Sequence, residues 1–385
     1  MNLQIAQIAA YLTQRFQTEV KVLRLRNPDD TGFTQTPMMD GAPFLDVAEA
    51  PALKTFGYGK PILVECLING KPSRLVLQTA AANSFGHDWR ADRAAEMLLS
   101  YDTYNSLPHH THALDVGVIT TDDQLISLAE GDEFFVLTDY VSGEPYARDL
   151  IRLRDTGEAT GADLRRARQL ALYLAEIHSV KHAAPALYAR RIRDTVGSGE
   201  GIMGLADSYA ADNGLVEWSW LEEFEKTCVT WRWRLKNKTH RLAQVHGDFH
   251  PYHVFFERSG EFHVVDRSRG AWGEPADDVA CMAINYLFFS LQRSGWLASP
   301  FEQLWNIFWN TYLTATKDHE LLTVVPPFFA WRALVLASPT WYNISDAVRY
   351  ALLGAARAML QTNLFNPADM NAYLSVGDEV MVDSG

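Results

Sequence analysis

The sequence predicts an α+β fold of two lobes, a small β-containing N-lobe and a large helical C-lobe. Three observations predict it. At 385 residues the chain exceeds the usual size of a single hydrophobic core, so about two folding units are expected. Strand-like alternation is concentrated before residue 139, whereas nearly all later segments have helical spacing. The exception within the helical part is a strand–turn–strand pattern flanked by Asp248 and Asp266, which a hairpin can fold into one pocket. The boundary falls near Asp139–Gly143 and gives an N-lobe of residues 1–139 and a C-lobe of residues 140–385.

The elements follow in order. Ile5, Ile8, Ala9, Leu12 and Phe16 recur at helical spacing, and Glu19–Arg26 alternates like a strand. Residues 27–49 are rich in Pro, Gly, Asp and Thr and read as a long loop. Pro61–Ile68 and Ser73–Thr79 are strand patterns joined by Asn69-Gly70, the pair that favours a tight hairpin turn. A helix from about Asp88 to Tyr104 offers Ala91, Ala94, Ala95, Leu98 and Leu99 as its apolar face. Phe134–Tyr146 begins as a buried strand and ends in a Gly-Pro punctuated connection. Helices are then expected over 161–178, 216–236, 279–291, 301–316 and 327–360, the last broken near Pro339.

Composition narrows the function. With 48% hydrophobic and 21% charged residues the chain is ordinarily globular. Lys plus Arg number 34 against 47 for Asp plus Glu, and the net charge of −13 argues against a nucleic-acid partner, which needs a basic face. Cys66, Cys228 and Cys281 cannot all pair and form no C-x-x-C, so they read as buried thiols. No apolar run reaches the roughly 18 residues of a membrane span, and the N-terminus reads as an amphipathic helix rather than a signal peptide. A cytoplasmic protein without a membrane partner, a monomer or homodimer, is the expectation.

Phosphoryl transfer needs one carboxylate to orient the attacking hydroxyl and another to hold a metal ion against the nucleotide phosphates. Asp248 and Asp266 suit these two roles. Around them run HGDFHPYHVFF (246–256), FHVVDRS (262–268) and GEPADDVA (273–280). The combination resembles the aminoglycoside phosphotransferase and choline kinase-like family, whose loop reads H-G-D-x-x-x-x-N and whose later element reads G-D-P-x-x-D-hydrophobic-A. The resemblance implies a protein kinase-like fold with a nucleotide-binding N-lobe, and a pocket between the lobes that contains both aspartates. It further implies ATP and Mg2+ as cofactors and a small-molecule hydroxyl as acceptor, aminoglycoside-, choline- or sugar-like. Asp248 would be the catalytic residue and Asp266 the principal metal ligand. His253 stands where the family has its asparagine ligand, and imidazole serves magnesium poorly.

The same resemblance assigns a nucleotide side. Gly57 and Gly59 would form the turn over the phosphates, where glycine lets the backbone approach closely. The lysine position holds Gln78, an uncharged donor, and Glu96 takes the place of the lysine's glutamate partner. Lys60 or Arg74 is available as the missing cation. Backbone groups of Thr138, Asp139 and Tyr140 would face adenine. Gln78 and His253 keep open a second function, a catalytically weak or inactive kinase-like nucleotide- or ligand-binding protein. A metal-hydrolase site built on His250, His253 and His263 is a third reading, although no H-E-x-x-H pattern supports it. For the acceptor, the helices from Val216 and Val279 and the glycine-rich stretch 195–204 are expected to line the pocket. Glu222, Glu223, Glu225 and Asp277 there would attract an amine-bearing alcohol, or else face solvent.

Overall fold

The computed structural model describes residues 3–26, 61–210 and 212–382. It divides into two compact units, Met1–Thr138 and Asp139–Gly385.

In the first unit, helix α1 (Ile5–Phe16) precedes an antiparallel sheet of β1 (Val20–Arg26), β2 (Ile62–Ile68) and β3 (Lys71–Leu77), in that spatial order. Asn69 and Gly70 both have positive φ, the primed turn geometry that matches the twist of a two-residue hairpin. Ile8 and Leu12 of α1 bury against Val20, Val22, Val64 and Cys66. Helix α2 (Arg90–Tyr104) forms where expected, yet none of its residues is buried. The anticipated apolar face is therefore not a core face; three of its five members are alanines, which favour helix without requiring burial. A short hairpin of β4 (Gly117–Ile119) and β5 (Leu125–Ser127) follows. The buried strand expected from Phe134 does not form. Phe134–Leu137 have no ladder partner among the described residues and are exposed, Phe135 to 92%.

The second unit begins with β6 (Glu144–Pro145), which pairs with β8 (Val254–Phe256) of a three-stranded sheet completed by β9 (Phe262–Val264). Helices α3 (Ala147–Thr156), α4 (Gly161–Ser179), α5 (Pro185–Gly197), α6 (Ile202–Asp207) and α7 (Trp218–Leu235) lie between these strands in sequence. The glycine-rich stretch 195–204 is thus the end of α5, a short turn and the start of α6. Two-residue strands β7 (Ala243–Gln244) and β10 (Trp272–Gly273) pair with each other. Helices α8 (Pro275–Ser294), α9 (Phe301–Thr316), α10 (Pro326–Ala337), α11 (Asp346–Leu360) and α12 (Met370–Val382) complete the unit.

Every residue of α8 from Pro275 to Leu291 is buried. A helix apolar on all sides belongs in the middle of a core, and α3, α9, α10 and α11 pack around it. Trp305, Trp309, Phe329 and Phe365 form an aromatic cluster on that core. On α7, Trp220 and Trp231 are buried while Trp218 and Trp233 are exposed. The three cysteines are free and buried. No helix among the described residues is long and apolar enough to cross a membrane.

Gly143 fixes the entry to β6. Its φ is +112°, and a Cβ there would lie 2.7 Å from the carbonyl oxygen of Phe256 in β8. Gly143→Ala should therefore destabilise the fold by roughly 1–3 kcal/mol, the usual cost of a strained backbone position. A urea midpoint equal to that of the parent would contradict this.

Candidate active site

The site is built on the chain between β7 and α8. At the start of α8, Glu274 caps the helix and Asp277 and Asp278 lie in the first turn, where the helix dipole favours negative charge. Asp278 is fully buried and accepts hydrogen bonds from the backbone N–H groups of His246 and Gly247, each at 2.7 Å. It also accepts from Nε2 of His178 at 3.1 Å, whose Nδ1 meets the Tyr312 hydroxyl. One carboxylate thus anchors the loop that carries Asp248, and these donors hold its pKa below the usual value against the opposing effect of burial. Beneath it, the buried Arg241 donates to both oxygens of Glu274 and to Asp318, and the Tyr188 hydroxyl donates to Glu274.

Gly247 supplies the turn with φ +88°. His246 donates from Nε2 to the carbonyl of Val265 and accepts from the Asp248 N–H on Nδ1, so a neutral ring ties the loop to the end of β9. Burial, the first influence on His246, lowers its pKa and agrees with that neutral form. Phe249 is fully buried and stacks on Tyr173. The backbone around Asp248 is therefore held from both sides.

The Asp248 carboxylate has two different edges. Oδ1 accepts from Nη1 of Arg332 at 2.7 Å and from Nη1 of Arg269 at 3.0 Å. Oδ2 lies 3.8 Å from Nδ1 of His253 and 3.9 Å from Nε2 of His250. Burial alone would raise its pKa, but Arg332 and Arg269 outweigh this and hold it at about 2. His250 is pushed down to about 4, first by burial and then by the neighbouring His253. Because the Asp248 pKa is depressed on folding, its ion pairs stabilise the fold above the unfolded carboxylate value of about 3.9. That contribution is lost as pH falls through about 2. Asp248 should accordingly stay ionised down to about pH 3, and Arg269→Gln should move its titration upward. A carboxyl-carbon NMR titration with a midpoint near 4 in the parent would contradict this.

Asp266 follows β9 with φ +60° and is half exposed. Its Oδ2 is 3.5 Å from Nε2 of His253, so the two aspartates flank one imidazole ring. Magnesium takes oxygen ligands at about 2.0–2.1 Å in octahedral geometry. Here one oxygen edge of Asp248 is already taken by two guanidinium groups, and the ligand beside Asp266 is a ring nitrogen. This donor set does not fit Mg2+.

Gln78 directly follows β3 and is exposed, and Glu96 on α2 lies 3.3 Å from His87 Nε2. Thr138, Asp139 and Tyr140 are exposed at the division between the units. Gly57, Gly59 and Lys60 lie outside the described residues, as does the loop at 27–49. The acidic group expected near the acceptor disperses. Glu222 and Glu223 pair with Lys226 on the exposed side of α7, and Asp277 is buried against Arg332 at 2.6 Å. His109, His110 and His112 occupy a loop.

Sequence reasoning missed Arg269 and Arg332, which touch the catalytic candidate directly. Arg332 is fully enclosed on α10 and bridges Asp248, Asp277 and the Gly247 carbonyl. The signal was a single charge in the apolar helix PPFFAWRALVLA, since a buried charge requires a partner.

No curated protein matches the chain. Among solved structures it is similar to a glucosamine kinase at 18% identity and TM-score 0.31, covering 62% of this chain and 57% of that one. The chain thus spans little more than half of that kinase. It is also similar to an ethanolamine kinase of Plasmodium vivax at 13% identity and TM-score 0.35, covering 86% and 82% of the two chains. A third similar structure is a gentamicin-APH(2")-IIa complex at 14% identity and TM-score 0.31, covering 94% and 97%. The model of the phosphotransferase enzyme family matches residues 106–305, more than half of the chain, including the Asp248 loop, Asp266 and the start of α8. The chain belongs to the phosphotransferase enzyme family.

Proposed function

We propose that the chain transfers a phosphoryl group from ATP to a hydroxyl of a small-molecule acceptor, aminoglycoside-, choline- or sugar-like. The observation that carries this reading is the asymmetric Asp248 carboxylate. Two arginines hold one edge and keep the group ionised, while the other edge makes no contact shorter than 3.8 Å with the neighbouring histidines. An acceptor hydroxyl donating to Oδ2 would be oriented for attack and would have a base within reach of its proton. Asp266, across the His253 ring, would face the phosphate side. In this proposal Gly57, Gly59, Lys60, Gln78 and Glu96 would bind the nucleotide, and the backbone of Thr138–Tyr140 its adenine.

A second reading, a weak or inactive nucleotide-binding protein, is favoured by one specific observation. The Gln78 amide offers phosphate no charge, and charge-assisted bonds are about twice as strong as neutral ones. An ATP-consumption assay across cationic and neutral hydroxylated acceptors, together with direct ADP binding, separates the two. Turnover with any acceptor supports the enzyme; ADP binding without turnover across the panel supports the second reading. Because Glu222 and Glu223 are paired with Lys226, turnover of cationic acceptors should respond only weakly to salt. A steep loss between low and high salt would restore the acidic surface to recognition.

A further inference from the structure

The tautomers around Asp248 decide which ring nitrogen is free. Asp248, His250 and His253 present ligand atoms within 4.8 Å of one another, the one such group among the described residues. Hydrogen bonds exclude the simplest use of that trio. The Tyr252 N–H donates to Nδ1 of His250, so the proton of the neutral ring is on Nε2, the atom that points at Asp248. His253 Nδ1 donates to the Asp248 carbonyl at 3.0 Å, because a carbonyl oxygen only accepts. Nδ1 being taken by that bond, the ring presents its other nitrogen, Nε2, to Oδ2 of Asp266 at 3.5 Å. The two atoms need a cation between them, which is either a second ring proton or a metal ion.

We infer that His253 Nε2 and Asp266 Oδ2 are the protein ligands of a first-row transition-metal dication of the Mn2+, Co2+ or Zn2+ class, in place of Mg2+. Two ligands at about 2.0–2.1 Å from a tetrahedral ion are separated by roughly 3.4 Å, close to the 3.5 Å seen here. The Nδ1–H bond to a backbone carbonyl is the outer partner that fixes the tautomer and orientation of a metal-bound imidazole. Imidazole suits these ions, whereas carboxylate, carbonyl and water suit magnesium. Remaining positions are open to water or to oxygens of a bound phosphate. Asp248 keeps its role outside the shell, since both arginines engage its Oδ1. The inference concerns the metal at the site of the phosphotransferase reading, and it can stand if that reading fails.

The test is titration of the full chain with Co2+, with and without ADP, followed by visible absorption, alongside Mg2+ competition. The parent is expected to develop a ligand-field band and to bind Co2+ at least roughly tenfold more tightly than His253→Asn, a loss of the size seen when metal-site partners are removed. Asp266→Asn, a change at a half-exposed position, should weaken binding similarly, which guards against misfolding of the first variant. Mg2+ should compete poorly in the parent and better in His253→Asn. Equal Co2+ affinity in parent and both variants overturns the inference, as does absence of binding with or without ADP. That outcome would leave a direct pair between a doubly protonated His253 and Asp266. Cobalt binding that is unaffected by ADP, with no ADP binding in any metal, supports the metal site and counts against the phosphotransferase reading alone.

Discussion

Asp248→Asn is expected to lower turnover by roughly 10²–10⁴-fold, the range for removal of a positioned general base, while ADP affinity stays close to that of the parent. The geometry makes asparagine a sharp probe. Arg332 and Arg269 both donate to Oδ1, so the amide oxygen must occupy that edge. The NH2 group then replaces Oδ2, the edge proposed to receive the hydroxyl proton, and a donor meets a donor. Loss should fall on kcat, because the missing interaction forms as the hydroxyl attacks. Far-UV circular dichroism should be unchanged, since the loop is anchored through Asp278 and not through the Asp248 side chain. Turnover equal to the parent's would remove Asp248 from the reaction. A loss of ADP binding equal to the loss of turnover would give it a binding role instead.

Much of this site was legible in sequence because its parts are local. Asp248, Asp266 and Asp278 lie within one loop–hairpin–helix segment, and hairpin geometry alone brings the first two to opposite sides of His253. The α8 core helix was likewise legible from its apolar run, although its acidic first turn extends the helix four residues earlier than expected, to Pro275. What periodicity could not deliver was the partner of each charge. Arg332 comes from α10, far along the chain, and Arg269 from the turn after β9; no spacing rule connects either to Asp248. The acidic residues of α7 illustrate the reverse problem. Glu222 and Glu223 look like a recognition patch in one dimension, yet Lys226 at i+4 and i+3 pairs with them on the same helix face. Apolar content also misled at Phe134–Leu137, where β propensity finds no pairing strand among the described residues.

Arg332→Met should destabilise the protein by about 3–5 kcal/mol, the cost of breaking a buried ion pair from one side. Arg332 is almost wholly buried on α10, and Asp277 is almost wholly buried on α8. The guanidinium stacks on Trp331 and donates to Asp277, Asp248 and the Gly247 carbonyl. Removing the cation takes from the buried Asp277 its hydrogen-bonded partner at 2.6 Å and leaves its desolvation to the charges of Arg191 and Arg269, which is expensive, whereas Asp248 keeps its direct bond to Arg269. The cost should consequently reside mainly in Asp277. Arg332→Met combined with Asp277→Asn should recover much of the loss, because neither buried charge remains. Urea midpoints of the parent, both single variants and the double variant measure this cycle. A double variant whose loss equals the sum of the two single losses would show that the pair is not coupled. An Arg332→Met midpoint matching the parent would mean that water or a rearranged side chain reaches Asp277. Arg332 also holds Oδ1 of Asp248, so Arg332→Met should raise the Asp248 pKa from about 2 toward the ordinary carboxylate range. Stability and the titration of the Asp248 carboxylate should therefore move together in Arg332→Met. In Asp277→Asn, which keeps both arginines on Asp248, they should separate.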